Sequence, residues 1–122
     1  MRTMPRSNGR QQWQTTAENK EPSGAQKMFG DFAPTLVGFT DDVLFGQVWK
    51  RQDLSPKEWS LVTVASLTTS GNTDQLVYHL GLAKENGNTE QELIEALTHL
   101  AFYAGWPQAM AAMAVAKQVF TD

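Results

Sequence analysis

The sequence predicts an all-α fold of about six helices that assembles into an oligomer. Two stretches, Ser55-Pro56-Lys57-Glu58 and Thr89 with Glu92, have the reciprocal spacing of a helix-starting capping box. No stretch alternates apolar and polar residues as a half-buried strand would. The final segment, rich in alanine with Met110 and Met113, is apolar around most of a helical circumference. Such a helix needs cover on every side, more than a small monomer supplies.

A chain of 122 residues is expected to hold one domain. Its 41% hydrophobic content, with four Trp and six Phe, is that of a folded chain. The net charge of −3 argues against a nucleic-acid partner held by a basic surface. No apolar run approaches the roughly 18 residues that a membrane span needs. Arg2 and Arg6 are followed by no apolar segment, so a secretory signal is not expected and the cytoplasm is the expected setting. The absence of cysteine excludes disulfides, thiolate metal sites and every cysteine nucleophile.

Residues 1–22 are polar, lack a helical or strand period, and read as an N-terminal arm; residues 23–122 form the helical domain. Trp13 is the arm's expected anchor on a neighbouring subunit. Ser23 to Gly30 reads as a short capped helix, and Pro34 starts another carrying Leu36, Val37 and Phe39. Thr40 with Asp41 and Asp42 is expected to restart that helix through Phe45, until Gly46 interrupts it. The Ser55 helix runs to Ser70-Gly71-Asn72. Thr73 opens the next, with Leu76, Val77, Leu80 and Ala83 on one side and Asn86-Gly87 at its end. Thr89 starts the helix expected to be longest, through Tyr103. Gly105 and Pro107 mark a stop and restart before the last helix, Gln108 to about Phe120.

His79 is the one side chain whose placement suggests chemistry. It lies on a shoulder of the stripe formed by Leu76, Leu80 and Ala83, and an imidazole there can act as general acid or base near neutral pH. Spacing alone leaves a structural histidine bonded to a backbone carbonyl as the other reading. His99 stands beside the stripe of Leu93, Ala96, Leu97 and Leu100, and two isolated histidines lack the spacing of a metal site. Glu58 has a sufficient role as the partner of Ser55. Trp59, Tyr103 and Trp106 could line a pocket or pack in the core.

The run from Leu54 to Phe120, with FAPTLVGFTDDVLFGQVWKR before it, resembles the carboxymuconolactone decarboxylase family. Its most specific parts are Leu76-x-x-His79 followed by Ala83 and Asn86-Gly87, and Tyr103-Ala104-Gly105-Trp106-Pro107-x-Ala109. The resemblance covers about Met28 to Phe120 and implies an alkyl hydroperoxidase D-like helical fold in ring-shaped assemblies, trimers or hexamers. Peroxidase-type members carry the pattern E-x11-C-x2-C-x3-H. Counting back from His79 places Gln75 and Asn72 at the cysteine positions and Ser60 at the glutamate. Without a thiolate, thiol peroxidase activity is excluded.

The cysteine-free branch, similar to gamma-carboxymuconolactone decarboxylase, releases carbon dioxide from a lactone diacid without a cofactor. The resemblance therefore implies a cofactor-free lyase or isomerase of a small lactone or keto acid. His79 would be its acid/base, with Trp59, Tyr103, Trp106 and His99 around the substrate. Trp59 stands where the family commonly has Arg, so Arg51 or Lys57 would have to meet a second carboxylate. The alternative is a non-catalytic or ligand-binding member that keeps only the scaffold.

Overall fold

The computed structural model describes residues 21–122, so Trp13, and all of the N-terminal arm except its last two residues, lie outside the described residues. Every regular element among the described residues is helical: six α-helices, one π-helical turn and one 3-10 turn. The chain divides at Arg51 and Gln52 into two compact units.

In the first unit, Ser23 caps α1 (Gly24–Phe29) by accepting from the Gln26 N–H at 3.0 Å. The same hydroxyl donates to Asp41 Oδ2 at 2.9 Å. α2 (Pro34–Gly38) begins on Pro34 and runs directly into a π-helical turn, Phe39–Leu44. Thr40 therefore does not restart a helix. Its hydroxyl donates back to the Leu36 carbonyl at 2.8 Å, a bond that a threonine inside a helix makes in place of capping. A 3-10 turn follows at Val48–Lys50, and Phe45 stacks on Trp49 with ring centroids 5.6 Å apart.

The second unit holds the other four helices. In α3 (Pro56–Thr69), Ser55 Oγ accepts from the Glu58 N–H at 3.2 Å while Glu58 Oε1 accepts from the Ser55 N–H at 2.8 Å. α5 (Glu90–Tyr103) starts with the same reciprocal pair between Thr89 and Glu92, at 3.0 and 2.8 Å. Those backbone donors are the main reason both carboxyls sit below their usual pKa. Between them, α4 (Thr73–Glu85) opens at Asn72 with no side-chain cap. Gly87 leaves α4 at φ 111°, a backbone state that favours glycine. α6 (Trp106–Thr121), at 16 residues, is the longest helix among the described residues, two residues longer than α5, expected to be the longest. Gly105 precedes it at φ 119°, and Pro107 fits its first turn, where no intrahelical N–H bond is lost.

α3 packs on α4, α5 on α6, and α6 also against α4. Their shared core is Val64, Leu76, Leu80, Ala83, Leu93, Leu97, Ala112 and Ala116, all but closed to solvent. Burying each of the four leucines contributes roughly 1.5–3 kcal/mol. Val77, expected on the buried side of α4, is instead 56% exposed. Leu76, Leu80 and Ala83 already fill the contact stripe, and residue 77 falls one step beyond it.

Asn88 pins three helices together. Its side-chain amide donates to the Lys57 carbonyl in the first turn of α3 and to the Ala83 carbonyl of α4, both at 3.1 Å. Thr89, which caps α5, follows immediately. Asn88 is 4% exposed, and its Oδ1 is buried without a hydrogen bond.

Candidate functional site

His79 sits in the middle of α4, held there by the burial of Leu76, Leu80 and Ala83 on the adjoining stripe. The ring is half-buried, with Nδ1 closed to solvent. Tyr78 meets it edge-on, with centroids 5.0 Å apart and planes at 86°. Burial penalises the imidazolium and holds the His79 pKa below the ordinary 6.5. Burial thus favours the neutral ring over the imidazolium.

Facing helix α3 contributes the buried polar side chains Ser60 and Thr68. Thr68 returns its hydroxyl to the Val64 carbonyl at 2.8 Å and is satisfied within its own helix. Ser60, at the glutamate position of the peroxidase-type pattern, is 1% exposed and accepts from the Asn86 side-chain amide at 2.8 Å. The two cysteine positions of that pattern lie at the start of α4, where Asn72 and Gln75 are both exposed. Asn72 donates to Ser70 Oγ at 2.6 Å.

The residues expected around a substrate fall into two groups. Trp59 is half-buried in the first turn of α3, and its carbonyl accepts from the Thr63 hydroxyl at 2.9 Å. His99, Tyr103 and Trp106 gather instead at the corner between α5 and α6. His99 and Tyr103 have centroids 4.8 Å apart, and Trp106 meets Phe102 edge-on at 5.4 Å. Tyr103 is 79% exposed and Trp106 57%. Lys57, one of two cations considered for a second carboxylate, is bonded to Glu92 at 3.2 Å.

An open apolar groove of ≈ 510 Å³ lies against α4 and α6, lined by Val77, Ala114, Val115, Gln118, Val119 and Asp122. His79 is not among its lining residues. Two residues along a helix turn a side chain by about 200°, so Val77 and His79 occupy opposite flanks of α4. Ser60 and Asn86 each stand at positions the family resemblance marks, but nothing in the sequence pairs them, or Asn88 with Lys57: these partners are 26 and 31 residues apart.

The model of the carboxymuconolactone decarboxylase family matches residues 34–118. The chain is 40% identical over 92 residues to a 4-carboxymuconolactone decarboxylase from Acinetobacter baylyi, covering 75% of this chain and 69% of that protein. It is 36% identical over 78 residues to the nitrosuccinic acid decarboxylase npaB of Metarhizium robertsii, covering 64% of this chain and about half, 54%, of that protein. An uncharacterized 15.0 kDa protein of Paracoccus denitrificans is 25% identical over 91 residues. The family match spans most of the chain and agrees with the all-helical architecture, so the chain belongs to the carboxymuconolactone decarboxylase family.

Proposed function

We propose that the protein is a cofactor-free decarboxylase of a small organic acid, with His79 as the group that manages the proton. The observation that carries this reading is the half-buried imidazole in the middle of α4, where burial lowers its pKa and so makes its protonated form a readier donor. Two relatives named as decarboxylases support the reaction class, one for a lactone acid and one for a nitro acid. In both, the leaving carboxylate is on a compound carrying an electron-withdrawing group.

The step balances without a further reactant. The bond from carbon to carboxylate breaks, carbon dioxide leaves, and its electron pair passes into the adjacent carbonyl or nitro group. The imidazolium of His79 then gives one proton to that carbon and recovers it from solvent. A depressed pKa makes the imidazolium a readier donor, while fewer molecules carry it at neutral pH. Trp59, in the half-buried start of α3, favours an acid with an apolar body over one needing two cationic clamps.

The test is carbon dioxide release from a panel of lactone, keto and nitro acids. His79→Gln should lower turnover by about 10²–10⁴-fold, the usual contribution of a positioned acid or base, with the helical circular dichroism unchanged. Parental turnover in the folded variant would remove His79 from the chemistry. A parent protein that binds panel acids without releasing carbon dioxide would favour the ligand-binding alternative.

A further inference from the structure

Asn86 and Gly87 join the end of α4 to the clamp at Asn88, and the pair is chemically reactive. A backbone nitrogen that follows an asparagine can attack the side-chain carbonyl carbon of that asparagine. Glycine leaves this nitrogen unshielded, because it has no Cβ. The chain has two such pairs, Asn8-Gly9 and Asn86-Gly87, and the second lies among the described residues. Gly87 is exposed, and a Cβ built there would meet only Lys57 Cδ, at 3.9 Å. Water therefore reaches the pair. Both reacting groups are nevertheless engaged in the fold. Asn86 donates its side-chain amide to Ser60 Oγ at 2.8 Å, and the Gly87 N–H donates to the Lys84 carbonyl at 3.0 Å.

We propose that Asn86-Gly87 is a site of spontaneous deamidation, and that the bond to Ser60 is the latch that slows it. The Gly87 nitrogen forms a bond to Asn86 Cγ and gives up its proton. The Cγ–Nδ2 bond breaks, and the nitrogen leaves as ammonia, taking up that proton. One water then opens the resulting imide at either carbonyl, giving an aspartyl or an isoaspartyl link. Water is the only reactant consumed. The attack needs Asn86 to leave Ser60 and the Gly87 N–H to leave Lys84, so it runs through a local opening at the end of α4. That opening is costly because Ser60, at 1% exposure, gains no water in exchange while α3 and α4 stay packed. The product carboxylate can no longer donate to Ser60. It also puts negative charge among the last carbonyls of α4, where the helix dipole disfavours it.

The test incubates the full chain in mildly alkaline buffer and follows the replacement of NH2 by OH at Asn86 and Asn8 by peptide mass mapping. Asn86 should react slowly in the folded parent and faster in the urea-unfolded chain. Ser60→Ala should raise the folded rate at Asn86 by about 5–30-fold, the population change that losing one such bond gives, and leave the rate at Asn8 as it was. If Ser60→Ala fails to fold, Ser60→Cys decides in its place, since a thiol keeps the shape and is a poor acceptor. The proposal is overturned by an Asn86 that reacts as fast in the folded parent as in urea, or that stays unmodified in urea. A folded Ser60 variant with the parental rate at Asn86, or with an equal rise at Asn8, overturns it too.

Discussion

Asn86, the residue that closes α4, donates its side-chain amide to the Ser60 hydroxyl in α3 across 2.8 Å. The bond ties the end of the His79 helix to its neighbour at a point where Ser60 is almost completely buried.

Breaking that bond from one side leaves a polar group unsatisfied. Ser60→Ala should cost about 1–2 kcal/mol in urea unfolding, and Asn86→Ala a similar amount. The double variant should lose less than the two added together, by roughly 0.5 kcal/mol or more, because the residues share one interaction. Strict additivity would show that they act independently.

His79 makes both activity and stability depend on pH. Its folded pKa lies below 6.5, so the donor form grows as the pH falls, and turnover should rise toward acid with a half-point below 6.5. Stability moves the other way. Between 6.5 and the lower folded value the unfolded chain binds the proton and the folded chain does not. His79 should therefore remove stability as the pH falls through that window and have no such effect above it. Urea midpoints at pH 7.5 and 5.5, compared for the parent and His79→Gln, measure this directly. The variant should show the smaller acid loss.

Asn88→Asp should be strongly destabilising. It replaces an amide donating to two carbonyls by a carboxylate that can only repel them when ionised. The loss should be roughly 3 kcal/mol or more at neutral pH, and smaller at low pH, where the carboxyl is protonated. Thermal unfolding at pH 7 and pH 4 relative to the parent gives the comparison.

The helix starts were readable because their information is local. Ser55 with Glu58, Thr89 with Glu92, and the Gly105-Trp106-Pro107 break each act within one turn. Thr40 misled for the same reason: a threonine before two aspartates suits a cap, but inside a continuing helix its hydroxyl bonds backward to Leu36. Val77 misled because periodicity identifies an apolar side without giving the width of the stripe its neighbours cover. Ser60 and Asn86 are 26 residues apart in sequence, and Asn88 and Lys57 are 31 apart. No spacing rule connects such pairs; only the antiparallel packing of α3 and α4 does. His79 was identified as the residue to watch, but its half-burial and lowered pKa follow from packing that the pattern alone does not supply.

α4 differs from the helices on either side of it in sequence, α3 and α5: both of those are fixed at the start by a reciprocal box, and α4 has no side-chain cap. Its register is set by Leu76, Leu80 and Ala83 in the core and by Asn86 at its far end. In the opening turn the backbone is held by the Asn72 N–H on the Leu67 carbonyl, while the side chains of Asn72 and Gln75 stand exposed, outside the core. Those are the two positions at which the peroxidase-type pattern carries thiols. Side chains at that end of the helix can therefore change chemistry without disturbing the core, while His79, about one turn beyond Gln75 and two beyond Asn72, stays where the core stripe holds it.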